Sequence, residues 1–283
     1  MRIPSKIKSP AFLFIGWIVL FTLLPFAIIL GMSFLKKNDL GTVIASPTLQ
    51  NYVRCFHWIY LRVFLKTIWL AGAATLSCLL VGFPVAYYLA RSPGRMKQFG
   101  LILLFVPFWT NFILRIHGIM SLIGNNGLIN QLLENWGFTQ HPIQMLYTRG
   151  AVYVGLLYNY LPFLVVPIFS ALEKLDPSLR EAAQDLGASR WQTFTRVIIP
   201  NVREGITVGS LFVFIPMMGE YVIPDLLGGA KEVFLGNIMV GQFYVMGDWP
   251  FGSAIAGFLS LMMLAALYLQ SRGGHSLTPT EAV

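Results

Sequence analysis

Along most of the chain, apolar residues run in long blocks and polar residues are confined to the gaps between them. A bilayer core takes roughly 20 apolar residues per helix, so each block predicts a membrane span. Six fit, at about residues 11–35, 65–90, 99–123, 150–172, 205–227 and 251–270, within a single domain over 1–283. The first block is too long for the core of a secretory signal and lacks a clean small-residue cleavage site, so it reads as a span. Gly82-Phe83-Pro84 predicts a kink in the second span, and Asn159, Pro162 and Pro167 predict a broken or bent fourth. Gly205 and Gly209, four apart, give the fifth a face for close helix contact. In the loop between the first two spans, Leu49, Tyr52, Val53 and Phe56 suggest a short amphipathic helix.

One gap is long, polar and patterned: Glu181 to Pro200, EAAQDLGASRWQTFTRVIIP. Asp176-Pro177 upstream is a helix start, an acceptor side chain followed by a residue with no N–H to satisfy. Leu179, Ala182, Ala183 and Leu186 then recur at helical spacing, and Gly187 supplies the left-handed residue that ends the helix. Ser189 with Gln192 three residues on forms a capping box for a second helix. Trp191, Phe194, Val197 and Ile198 give that helix its apolar side, and Pro200 is expected to stop it. The expectation is a helix–Gly–helix elbow over 176–200. An amphipathic connector resting on the membrane would share some of these features.

The spacing within the elbow separates the two readings. Glu181-Ala182-Ala183, three residues, Gly187, nine residues, then Val197, Ile199 and Pro200 resembles the EAA loop of ABC-importer permeases. That pattern is Glu-Ala-Ala, x3, Gly, x9, Ile-x-Leu-Pro; this chain departs from it by Val197 and Ile199, both volume-conserving apolar swaps. The resemblance implies a type I permease fold of six transmembrane helices. In it the elbow is a cytoplasmic coupling helix that docks into a cleft on an ATPase. Glu181, Ala182, Ala183, Asp185, Gly187, Ser189 and Arg190 are then the coupling residues.

Composition agrees with an all-α polytopic membrane protein. Hydrophobic residues make up 56% of the 283, charged residues 11%, and mean hydropathy is +0.67; soluble domains average about 25% charged. The net charge of +8 sits mostly in short loops beside spans, which is a topology signal and not a nucleic-acid surface. The basic N-terminus with Arg2, Lys6 and Lys8, the turn with Arg91, Arg95 and Lys97, and the elbow are assigned inside, so both termini are expected in the cytoplasm. Cys55 and Cys78 have neither metal nor redox spacing. No glycine-rich phosphate loop ending in Gly-Lys-Ser/Thr is present, so no cofactor is expected on this chain; ATP and Mg belong to a partner ATPase.

Candidate substrate contacts come from the spans and the loops expected outside. Pro107, Asn111, Arg115 and Gly118 fall on one polar and small stripe of the third span. Arg115 and Glu220 lie at similar depth, roughly 22–24 Å along their helices at about 1.5 Å per residue. They either pair with each other or with the partner subunit, locking two helices, or meet substrate. Asp225 and Asp248 stand near Tyr221, Phe243, Tyr244, Trp249 and Trp109, and carboxylates with aromatic faces suit a cationic guest. Taken singly, each aromatic also fits an interfacial belt.

Val106-Pro107-Phe108-Trp109-Thr110-Asn111 with Arg115 and Gly118, Asp225 to Lys231, and Asp248-Trp249-Pro250-Phe251-Gly252 resemble the first permease subunit of spermidine/putrescine importers. The resemblance implies a second homologous permease subunit, an ATP-binding subunit dimer and an external substrate-binding protein, in a bacterial inner membrane. Permeases for opines, other amines or aminophosphonates are the alternative. A self-sufficient secondary transporter or channel would call for ionisable residues near the midplane and inverted repeats, which are not visible. A membrane enzyme would call for converging His, Asp or Glu, and His117 is the only histidine in a span.

Overall fold

The computed structural model describes residues 14–38, 41–229 and 232–274. The basic N-terminal residues, the start of the first expected span, Ala230-Lys231, the Arg272 side chain and the C-terminal tail lie outside the described positions. The chain divides into two compact units, Met1–Arg62 with Ile238–Met263 and Val63–Asn237 with Leu264–Val283.

The helices are α1 (Phe14–Ser33, with a π turn at Val19–Leu23), α2 (Gln50–Cys55), α3 (Trp58–Arg91), α4 (Gly94–Phe105), α5 (Phe112–Ile123) and α6 (Leu128–Asn135). They continue with α7 (Arg149–Glu173), α8 (Pro177–Asp185), α9 (Arg190–Gly219), α10 (Val222–Gly228), α11 (Leu235–Tyr244) and α12 (Trp249–Gly274). A two-residue hairpin, β1 (Lys36–Lys37) with β2 (Val43–Ile44), sits between α1 and α2. Six helical segments among the described residues are long and apolar enough to cross a membrane.

The second unit is built on α7 and α9. Val152, Leu156, Leu164, Val165 and Ile168 of α7 are buried, as are Val202, Val213 and Met217 of α9 and Ile223 and Leu227 of α10. Between membrane helices the attraction is packing, because lipid tails are as apolar as leucine. Close approach therefore decides stability. A Cβ on Gly205 would come within 2.6 Å of the Ala171 Cβ and 2.8 Å of the Pro167 carbonyl oxygen, and one on Gly209 within 2.9 Å of the Leu164 oxygen. The expected small-residue face is thus the seam between these two helices.

In the first unit, none of the apolar window of α1 is buried. Below it, Ser33 and Tyr52 share a 2.8 Å hydrogen bond, and the Asn51 amide donates to the carbonyls of Ser33 and Leu35 at 2.9 and 2.8 Å. These bonds hold α2 to the end of α1.

Several expectations are corrected. Pro200 does not end a helix: Phe194–Ile198 form a π turn, in which the Ile199 N–H reaches back to the Phe194 oxygen. The wider turn carries the ladder past a residue with no N–H, so the elbow's second helix and the fifth span are one rod, α9. The fifth span itself ends at Gly219 rather than near Leu227, and Glu220 is extended. The fourth span is not broken; α7 runs continuously with Pro162 and Pro167 inside it. The third span is interrupted instead. After α4 comes one 3-10 turn, Val106–Trp109, then extended backbone at Thr110 and Asn111 before α5 starts. Pro107 and Asn111 therefore do not share a helix with Arg115 and Gly118. Two stretches read as loops contain α6 and α11.

Candidate functional site

The elbow leaves no helix end without a partner. The Ser178 N–H donates to the Asp176 carboxylate at 2.9 Å, and hydrogen bonding from Ser178 holds the Asp176 carboxyl below the ordinary range. Gly187 stands at φ +83, where a side chain would be strained, and its N–H meets the Gln184 oxygen at 2.9 Å while the Ala188 N–H meets Ala183. The capping box closes on both sides: the Ser189 N–H donates to the Gln192 side chain at 2.8 Å, and the Gln192 N–H to the Ser189 hydroxyl at 3.2 Å. Local chemistry fixes the shape.

That shape presents a surface. Glu181, Ala182, Asp185, Ser189 and Arg190 are exposed, and Ala183 is half-buried. Leu186 is 89% and Trp191 71% exposed, two large apolar side chains flanking the Gly187 turn. Large exposed apolar groups at a fully capped turn mark a contact surface. Behind the tip, Phe194 packs edge-on against Phe83 at 5.5 Å and Tyr87 at 6.3 Å, centroid to centroid. A push on the elbow therefore reaches α3 through an aromatic contact and the fifth span through the continuous rod.

The intramembrane charges do not pair as one reading of the sequence expects. Arg115 reaches back over the break in its span: its guanidinium lies 4.1 Å from the centre of the Phe108 ring and donates to the Pro107 oxygen at 3.4 Å. Its Nε is buried without an acceptor among the described residues. Glu220 instead accepts the Tyr160 hydroxyl at 2.6 Å and the N–H groups of Tyr221, Val222 and Ile223 at 3.1, 2.9 and 3.4 Å. Breaking the fifth span at Gly219 exposes the first N–H groups of α10, and a carboxylate is the favoured partner there. So Arg115 and Glu220 each answer a helix break beside them. Asn111 does likewise, capping α5 by accepting from the Ile113 N–H at 2.8 Å.

The other two acids diverge. Asp248 is 8% exposed and fully engaged, taking Arg54 of α2 at 2.7 Å and the Phe251 N–H of α12 at 3.2 Å. Asp225 is exposed, and its carboxylate has no hydrogen bond or ion pair among the described residues. Trp109, 82% exposed, and Tyr221, 43%, are likewise open, while the half-exposed Trp249 leans edge-on against Phe243 at 5.5 Å.

Sequence reasoning missed a fourth acid. Glu232 is buried and bridges Lys66 of α3 and Arg149 at the start of α7, the latter at 2.6 Å. Burial pushes its carboxyl up, but hydrogen bonds from Lys66 and Arg149 outweigh that and hold it below the ordinary range. Beside it the Leu235 N–H donates to the Thr67 hydroxyl at 3.1 Å. A lysine inside an apolar block was the available signal, because such a charge needs an acid somewhere. The missed helices had a signal too: Leu128, Leu132 and Leu133 of α6 recur at helical spacing.

The comparisons with known proteins converge on one family. The model for the binding-protein-dependent transport system inner membrane component matches residues 9–272. The spermidine/putrescine transport system permease protein PotB of Salmonella typhimurium (strain SL1344) is 42% identical over 278 residues, 98% of this chain and 97% of that protein. Its counterpart of the same name from Escherichia coli (strain K12) is 43% identical over 263 residues, 93% of this chain and 96% of the other. In fold, the chain is similar to a subunit of a bacterial ABC transporter involved in the import of the acidic polysaccharide alginate. The TM-score there is 0.75 at 16% identity, over 96% of both chains. With a rigid elbow, six apolar helices and matches of this extent, the chain belongs to the binding-protein-dependent transport system inner membrane components: it is a permease subunit of an ABC importer.

Proposed function

We propose that this permease moves polyamines, spermidine or putrescine, into the cytoplasm, with a second homologous permease subunit, an ATP-binding subunit dimer and an external substrate-binding protein. The observation that carries the substrate class is 42% identity over 98% of the chain to a permease named for spermidine and putrescine. ATP and Mg bind the separate ATPase, and this chain holds no cofactor. Both termini and the elbow face the cytoplasm, and the Glu220–Gly252 stretch faces outward. Glu181, Ala182, Ala183, Asp185, Gly187, Ser189 and Arg190 form the coupling surface, with Leu186 and Trp191 as its apolar knobs.

Of the eight candidate substrate residues, we assign direct contact to Trp109, Tyr221 and Asp225, whose side chains are open. A polyamine gives up hydration on entering, and ring faces with a free carboxylate replace part of it. Asn111, Glu220 and Asp248 keep helix ends capped, Arg115 braces the third-span break, and Trp249 packs on Phe243. The deciding experiment is ATP hydrolysis by the reconstituted complex, with binding protein empty or loaded with spermidine, putrescine, an opine or an aminophosphonate. Stimulation by the loaded polyamine alone supports the reading. Stimulation by another solute, and none by polyamines, overturns the substrate class.

A further inference from the structure

The inner side of the elbow holds a feature that coupling to an ATPase does not account for, although Arg190 belongs to both. A cavity of about 380 Å³ lies between the end of α3, helix α8 and the start of α9. It is lined by Tyr87, Arg91, Arg180, Gln184, Arg190, Thr193 and Ile198. Three arginines from three helices meet there, and no acid lines the space. None of the three has a salt bridge among the described residues. Arg91 is held in place by its ring partner, its guanidinium 3.9 Å from the centre of Tyr87. The Arg180 Nε is buried with no acceptor among the described residues.

Three like charges facing one space repel, and a buried guanidinium donor without an acceptor is destabilising by about 1–3 kcal/mol. An anion inside the cavity would remove both penalties together. Arginine's planar fork fits tetrahedral phosphate oxygens, each guanidinium offering two parallel donors. Three cations facing one space ask for more negative charge than a single carboxylate brings. The position narrows the source further. Arg91 ends a helix of 34 residues, about 50 Å at 1.5 Å per residue, long enough to run from one headgroup layer to the other. Basic pockets between membrane helices at that level bind anionic lipid headgroups.

We propose that Arg91, Arg180 and Arg190 form a phosphate-binding site that ties the elbow's first helix to the end of the second span, occupied by the phosphate of an anionic phospholipid. Nothing in this inference depends on which solute the permease carries. Its consequence is mechanical: the phosphate cross-links α8, α9 and α3 where Phe194 already meets Phe83 and Tyr87, so the elbow moves with the spans and not apart from them.

The test is native mass spectrometry of the full chain purified in detergent, titrated with cardiolipin, phosphatidylglycerol, phosphatidylcholine or inorganic phosphate. Wild-type protein should retain cardiolipin and phosphatidylglycerol over zwitterionic phosphatidylcholine. Arg180→Gln or Arg190→Gln should each lower that retention about tenfold, the size expected for loss of one charge-assisted bond to phosphate. Arg180→Lys, which keeps the charge and loses the fork, guards against misfolding of the neutral variant and should fall in between. Arg203→Gln, on α9 and outside the cavity, should leave retention unchanged. Tight binding of inorganic phosphate without lipid preference, lost in the same variants, would keep the site and change the source to free phosphate. Equal retention in wild type and Arg180→Gln, or an equal loss in Arg203→Gln, overturns the site. So does wild-type protein that holds neither lipid nor phosphate, which would turn the arginines toward acids of a partner protein.

Discussion

The elbow and the stretch from Glu220 to Gly252 are both polar interruptions of an apolar chain, yet they are held in opposite ways. Every capping bond of the elbow closes within five residues: Asp176 with Ser178, Gly187 with Gln184, Ser189 with Gln192. The second stretch is tied across long separations. Asp248 finds Arg54 194 positions away, Leu235 finds Thr67 168 away, Glu232 finds Arg149 83 away and Glu220 finds Tyr160 60 away. Short-range bonds make a part that keeps its own shape when it moves, which suits the coupling role proposed for it. Long-range bonds make a part whose shape depends on the spans around it, so a change in the spans is felt there.

The sharpest break in this contrast is Gly187→Val. A β-branched residue in the left-handed region is strained by about 1–3 kcal/mol, at a turn where an added Cβ meets nothing within 4 Å. Uptake should drop at least about tenfold at equal expression, with the thermal unfolding of the isolated permease little changed. Normal uptake per assembled complex would show that the elbow's rigidity is not what couples it.

Asp248→Asn should do the reverse, lowering stability first and uptake only in proportion to folded protein. Its partner Arg54 is half-exposed while Asp248 is nearly buried, so the loss lies between surface and buried pairs, about 1–3 kcal/mol. Arg54→Met should reproduce most of it, and the double variant should fall short of the sum. A normal melting profile with impaired uptake would return Asp248 to the substrate path.

The same contrast explains what was legible in the sequence. The cap at Asp176, the Gly187 turn, the capping box and the Gly205–Gly209 seam were all readable, because each is a local rule about backbone donors or Cβ space. The EAA spacing then tied the elbow to a family. Tertiary choices were not readable. Glu220 prefers the N–H groups of a helix break to Arg115, and at that break the Gly219 carbonyl lies so close to Gly236 that an added Cβ there would clash, a contact no short window encodes. The π turn before Pro200 escaped for a related reason, since a proline inside a polar stretch reads as a stop unless the widened ladder ahead of it is seen. The six spans emerged as blocks, but their ends shifted wherever a break replaced a loop.

Asp225 is the open acid of the second stretch, and Asp225→Asn separates substrate chemistry from structure. An exposed carboxylate contributes about 1 kcal/mol to a nearby cation, so polyamine uptake should fall about fivefold or less, and the difference should shrink as salt rises. Stability should not change. Loss of complex assembly instead would make Asp225 another structural acid.

The smallest effect belongs to the elbow, and it tests whether the cap works by charge. Hydrogen bonds from the Ser178 N–H and hydroxyl hold the Asp176 carboxyl below the ordinary value of about 3.9. A lowered folded pKa means that the unfolded state takes up a proton first. The cap's stabilisation is therefore fully present above the ordinary range and fades as pH falls through it toward the folded value. Hydrogen exchange at the first amides of α8 should speed up over that acid window in the wild type. Asn caps a helix about as well as Asp and does not titrate, so Asp176→Asn should exchange at the wild-type rate near neutrality and lose the acid-dependent rise. A rise that persists in Asp176→Asn would place the titrating group elsewhere in the elbow, with Glu181 and Asp185 the next carboxylates to replace.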